Sequence, residues 1–144
     1  MKTTLWFVAV LFACVWHGGN STTYDECLDC ICKVESTCRM PSPLCHWDVG
    51  SDSCGPYQIK YAYWQDAQLH GGNLMGDWRT CARSFRCSRR AVRGYMDRYA
   101  TRARLGRQPT CQDYARIHNG GPNGYMYDST LSYWRLVQAC LPAK

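Results

Sequence analysis

The first clear periodicity lies at residues 27–34. Cys27, Cys30, Ile31 and Val34 recur at i, i+3, i+4 and i+7, the apolar face of one helix. Thr23 and Glu26 stand three apart just before it, the spacing of a capping box, so the helix starts there. Glu35 falls beside the apolar face at the far end. Pro41-Ser42-Pro43 forbids continuation, because proline lacks the amide hydrogen and restricts its predecessor. The period then changes to two: Trp47 and Val49 alternate with His46 and Asp48. Residues 50–52 are turn material, and residues 54–59 are expected to return as the second strand of a hairpin. Residues 60–69 read as a helix broken by Gly71-Gly72-Asn73. Ser88 is a predicted cap for a helix running to Arg104, with Ala91, Val92, Tyr95, Met96 and Tyr99 on one face. Thr110 and Asp113 begin another, ended by Asn119-Gly120-Gly121-Pro122. Residues 129–140 form a last amphipathic helix with Leu131, Trp134, Val137 and Cys140 turned inward. Several short helices plus one small β-hairpin make an α+β fold.

The N-terminus carries a different pattern. Lys2 precedes an uncharged, mainly apolar run at residues 5–16, which His17-Gly18-Gly19-Asn20 breaks. This reads as a secretory signal over residues 1–19, with cleavage between 17 and 23. The run is too short for a membrane span. Residues 20–144 then form one domain, enough for a single core, and the product is secreted and extracellular. Of the 11 cysteines, Cys14 lies in the leader. The other ten are Cys27, Cys30, Cys32, Cys38, Cys45, Cys54, Cys81, Cys87, Cys111 and Cys140. An even number in a small exported domain implies five disulfides. Short separations favour Cys32–Cys38, Cys45–Cys54 and Cys81–Cys87, and leave the pairing of the remaining four open. Cys27-Leu28-Asp29-Cys30 also has a zinc-ligand spacing, but no second such pair follows and export favours oxidation, so no metal is expected.

Charge narrows the partners. The formal net charge is +6, and loss of Lys2 with the leader leaves 16 basic against 11 acidic residues, +5. Arginines concentrate between Arg79 and Arg107. Such a stripe is either a solvated helix face or an attraction for anionic polymers. The extracellular address favours a bacterial wall over nucleic acid.

Most carboxylates have ordinary explanations. Asp25, Glu26 and Asp113 fit helix N-termini, where negative charge meets the dipole, and Asp97 lies among arginines. Glu35 and Asp48 do not reduce so easily. One sits at a helix end and the other on the next strand, and Cys32, Cys38, Cys45 and Cys54 bracket both. Glycoside hydrolysis needs such a pair across the scissile bond, one carboxyl protonated and one ionised. An apolar setting favours the protonated form, and a setting rich in donors favours the ionised one.

The stretches CLDCICKVESTC (27–38), CHWDVGSDSCGPYQIKYAYW (45–64), GYMDRYA (94–100), HNGGP (118–122) and STLSYW (129–134) together resemble the invertebrate-type, or destabilase-type, lysozyme family. The resemblance runs in order from Cys27 to Cys140. It implies a lysozyme-like, disulfide-rich fold with a cleft between helical body and hairpin. It also implies a muramidase that cuts the β-1,4 bond between N-acetylmuramic acid and N-acetylglucosamine in bacterial peptidoglycan, for defence or digestion, without a cofactor. On this resemblance Glu35 is the proton donor, and Asp48 is the nucleophile or ion stabiliser. Substrate contacts correspond to Lys60, Tyr61, Ala62, Tyr63, Trp64, Gln65, Asp66, Tyr95, His118, Asn119 and Gly120. For Trp64 and Tyr95 plain core packing is an equal alternative.

A second chemistry, cleavage of ε-(γ-glutamyl)-lysine isopeptide bonds, is described for some members. It would correspond here to Ser53 and Lys60, provided that a neutral lysine reaches the hydroxyl. The remaining alternative is a non-catalytic, cationic antimicrobial or carbohydrate-binding protein. The segment 68–77 is longer than the family pattern implies. Oligomeric state and stereochemical outcome stay open at this level.

Overall fold

The computed structural model describes residues 22–70, 74 and 76–143. The expected signal segment, and residues 71–73 and 75 of the long 68–77 segment, lie outside the described residues.

Helix α1 (Tyr24–Ser36) starts as the spacing predicts. The Thr23 hydroxyl accepts from the Glu26 amide, and the Glu26 carboxylate accepts from the Thr23 amide. Thr37 closes the helix in the left-handed conformation. Cys27, Leu28, Cys30, Ile31 and Cys32 are buried. The hairpin pairs β1 (Cys45–Asp48) with β2 (Ser51–Cys54), Cys45 opposite Cys54 and Asp48 opposite Ser51. The return strand is therefore Ser51–Cys54, not 54–59. Both Val49 and Gly50 take positive φ, at 40° and 81°, so the reversal is a tight two-residue turn and residues 51–52 are already paired. Only an isolated Cys54–Ile59 bridge follows.

The body is helical. α2 (Tyr61–Gln68) packs on α4 (Phe85–Tyr99), and α3 (Trp78–Ala82) is a short turn capped by Asp77. The sequence reading missed α3, which at five residues is too short to show a period. It also placed the α4 cap at Ser88 and the α4 end at Arg104. The cap is Ser84, whose hydroxyl accepts from the Cys87 amide. The buried Ser88 hydroxyl instead reaches the carbonyls of Cys81 and Ala82. The helix stops at Tyr99, because Thr101 caps a separate α5 (Arg102–Leu105). α6 (Cys111–Gly120) and α7 (Leu131–Cys140) follow, joined by two 3₁₀ turns at Gly124–Met126 and Asp128–Thr130. α7 buries Tyr133 and Val137, an i, i+4 pair, whereas Leu131, Trp134 and Cys140 are only partly covered.

Five disulfides link these parts: Cys27–Cys111, Cys30–Cys140, Cys32–Cys38, Cys45–Cys54 and Cys81–Cys87. The first two fasten α1 to the start of α6 and the end of α7. Arg89 of α4 adds a polar clasp on the same helix, donating to Asp25, Asp29 and the Tyr57 hydroxyl. The hairpin meets the body at Gly55. A Cβ there would lie 2.3 Å from the Ala82 carbonyl oxygen, and φ is +75°, so both space and backbone require glycine.

The N-terminus of α6 is fixed by a buried acid. Asp113 accepts from the Thr110 amide and hydroxyl and from both terminal nitrogens of Arg107. Burial pushes the Asp113 carboxyl up, but Arg107 and Thr110 outweigh it, and the net shift is below the ordinary 3.8. A carboxyl depressed by folding contributes stability above its unfolded pKa, and that contribution is lost as pH falls through the folded value. Asp113→Asn should therefore destabilise the protein at neutral pH by roughly 1–3 kcal/mol. In urea unfolding, its gap to wild type should close below about pH 4.

Candidate active site

Glu35 lies at the last turn of α1, where the helix reaches the hairpin. Its side chain is 18% exposed. The Tyr133 hydroxyl of α7 donates to Glu35 Oε1 at 2.6 Å. His118 of α6 brings Nε2 within 3.4 Å of the same oxygen. That nitrogen also lies 3.1 Å from the Tyr57 carbonyl, and Nδ1 lies 3.0 Å from the Tyr63 hydroxyl. A carbonyl only accepts, so the hydrogen sits on Nε2, and in the neutral ring Nδ1 accepts from Tyr63. Burial pushes the Tyr63 and Tyr133 phenols well above 10, so both stay protonated donors.

Asp48, at the end of β1, has the opposite setting. Its side chain is 47% exposed and surrounded by donors. The buried Ser53 hydroxyl donates to Oδ2 at 3.2 Å, and Lys60 Nζ lies 3.3 Å from the same oxygen. Lys60 also donates to the Asp48 carbonyl and to Ser51 Oγ at 3.1 Å. Three acceptors thus meet the three hydrogens of one ammonium group. Ser53 and Lys60 converge on Asp48 rather than on each other, and the hydroxyl next to the amine belongs to Ser51. A lysine acting as general base needs a free lone pair within reach of the serine, whereas here Lys60 and Ser53 both turn to Asp48.

Glu35 and Asp48 line one cleft of about 300 Å³, together with Ser53, Lys60, Ala62, Tyr63, Tyr95, His118 and Asn119. Other expected contacts lie elsewhere. Asp66 is occupied by Arg98 and the Tyr99 hydroxyl, each at 2.8 Å. Trp64 is buried in the core, while Tyr61 and Gln65 bond each other on the outside of α2. Gly120 packs against Thr130, where a Cβ would come within 2.5 Å of the methyl group. Tyr95 is both core and cleft, stacked on Tyr63 with centroids 3.6 Å apart. Sequence reasoning missed Tyr133, Ser51 and Gln58. Tyr133 sits off the i, i+3 series that begins at Leu131, although its i, i+4 relation to Val137 was visible. Gln58 takes a left-handed φ of 49° at the cleft wall, which no pattern announces.

The profile of the Destabilase family matches residues 24–140, from the first turn of α1 to the last residue of α7. The chain belongs to the destabilase family. Membership makes it an enzyme, a glycoside hydrolase of the invertebrate-type lysozyme class. The destabilase-family chain is 50% identical over 133 residues to Lysozyme 1 of Crassostrea virginica, covering 88% of this chain and 67% of that one. It is 44% identical to a lysozyme of Magallana gigas, with 91% of each covered. In three dimensions it resembles the crystal structure of an inhibitor-bound lysozyme from Meretrix lusoria. The TM-score is 0.71 at 44% identity, over 83% of this chain and 91% of that one. The α+β lysozyme fold expected from the sequence is thus the observed one.

Ser53 is 2% exposed and spends its hydroxyl on Asp48. Ser53→Ala should lower stability by about 1 kcal/mol, measured as a lower urea midpoint at unchanged slope.

Proposed function

We propose that the protein is a secreted muramidase of bacterial peptidoglycan, with Glu35 as general acid and Asp48 as nucleophile or ion stabiliser. The observation that carries this reading is the unequal setting of two carboxyls lining one cleft. Glu35 is largely enclosed beside buried aromatic residues, whereas Asp48 is open to solvent and faces an ammonium and a hydroxyl. Glycoside cleavage uses two such carboxyls in one cleft for different tasks, one giving a proton and the other meeting the anomeric carbon.

The route follows from that division. A glycan strand enters the cleft with its linking oxygen towards Glu35. Glu35 gives its proton to that oxygen as the bond to the anomeric carbon breaks. Asp48 meets the positive charge that develops there, and water completes hydrolysis with Glu35 taking the proton back. Lys60 and Ser53 both engage Oδ2, so Oδ1 is the oxygen left for the sugar. Exposed arginines such as Arg83, Arg86 and Arg102 favour approach to an anionic wall. The isopeptidase reading has weaker support, because Ser53 and Lys60 each engage Asp48 rather than each other.

The test is clearing of a cell-wall suspension together with release of reducing ends. Glu35→Gln and Asp48→Asn should each lower the rate by roughly 10²–10⁴-fold with the fold intact. Variants that release reducing ends as fast as wild type would remove the mechanism. Equal bacterial killing by both variants, with no reducing ends from wild type, would favour a non-catalytic cationic protein.

A further inference from the structure

We propose that Tyr133 is a positioning residue that gives the two oxygens of Glu35 different tasks. Oε1 is held as an acceptor, and Oε2 carries the proton delivered to substrate. The proposal rests on the reading of Glu35 as the acid.

A glutamic acid has two oxygens that can carry its proton, and the torsion that exchanges them is broad and weakly restrained. An acid free to turn over would present its carbonyl oxygen to the leaving group as often as its hydroxyl. Here the exchange is blocked from one side. Tyr133 donates to Oε1 at 2.6 Å, short for an O–H···O hydrogen bond. His118 Nε2, which carries a hydrogen because it also faces the Tyr57 carbonyl, approaches the same oxygen. With the proton on Oε1, the Tyr133 hydroxyl would have to turn and accept it, and the buried phenol hydrogen would lose the acceptor it has now. Among the described residues no hydrogen bond engages Oε2. The neutral acid is therefore built with its hydroxyl on Oε2.

Tyr133 is placed for this work by covalent structure. It projects from α7, which is tied to α1 through Cys30–Cys140. His118 projects from α6, tied to α1 through Cys27–Cys111. Burial keeps the Tyr133 phenol protonated, so the donor does not titrate across the range in which the acid works.

A purely structural tyrosine would satisfy its buried hydroxyl on Glu35 and affect stability alone. Tyr133→Phe keeps the ring and separates the two roles. The expected result is a kcat about tenfold lower with KM nearly unchanged. The alkaline limb of kcat/KM should move up by about one pH unit, because the ionised acid has lost a donor. The chain has two glutamates, Glu26 and Glu35. Carbon-13 labelling of glutamate Cδ therefore gives a readout that does not depend on activity. One titration midpoint should rise in Tyr133→Phe while the capping Glu26 stays put. Unchanged kcat, alkaline limb and Cδ midpoints, with only a lower melting temperature, would overturn the positioning role. Glu35→Gln run in parallel separates the layers. If it is inactive while Tyr133→Phe behaves as wild type, the positioning role alone fails. If Glu35→Gln keeps full activity, the acid assignment fails and the proposal with it.

Discussion

Everything at the site depends on α1 being clamped between α6 and α7. Cys27–Cys111 and Cys30–Cys140 close loops of 84 and 110 residues. Loops of that length each remove roughly 4–5 kcal/mol of conformational freedom from the unfolded chain in the entropic account. In the folded state the clamp has a more local effect. The two cysteines that receive α1 lie on the helices that carry His118 and Tyr133. Glu35 is the far end of the clamped helix, so the hydroxyl of Tyr133 and the ring of His118 arrive beside it by covalent design. A domain of this size has a modest core, and cross-links supply the rigidity that its apolar burial alone would not.

The two candidate carboxyls, Glu35 and Asp48, are built on one plan with different surroundings. In each, partners converge on a single oxygen: Tyr133 and His118 on Glu35 Oε1, Ser53 and Lys60 on Asp48 Oδ2. The other oxygen is left for chemistry. What differs is the charge and wetness of the partners. Phenol and imidazole enclose Glu35 in aromatic rings, whereas Asp48 faces an ammonium and open solvent. The hairpin achieves the second setting with very few residues. Its two-residue turn puts Ser51 opposite Asp48, and Lys60 reaches back to bridge both.

Local features were legible in the sequence, and features made by assembly were not. The capping boxes at Thr23 and Thr110 and the proline stop act within a few residues, and each appears in the fold. The alternation around Trp47 does not: Trp47 is 72% and Val49 90% exposed, and Val49 belongs to the turn rather than the strand. Glu35 and Asp48 stood out because nothing local explained them. The Ser84 and Ser88 positions show the limit. Both are serines before apolar turns, and only tertiary contact tells that one caps while the other bonds back to α3. Tyr133 lies 98 residues from Glu35, and its role exists only once α7 is docked. The segment after Lys60 divides for the same reason. One face of α2 forms cleft wall, and the other turns to the core, to solvent or to Arg98.

The pairing of aspartates with basic residues separates adhesion from integrity. Arg79, Arg89, Arg93, Arg98 and Arg107 are each spent on an aspartate, several of them spanning two elements. Exposed arginines such as Arg83, Arg86, Arg102 and Arg135 carry the outward field. Dissolved ions screen an outward field over about 10 Å at 0.1 M, whereas the five disulfides and the buried core that hold the fold carry no charge to screen. Brine would thus loosen the enzyme's grip on an anionic wall long before it loosened the enzyme itself. The salinity of its surroundings becomes a control on where it works rather than on whether it stays folded.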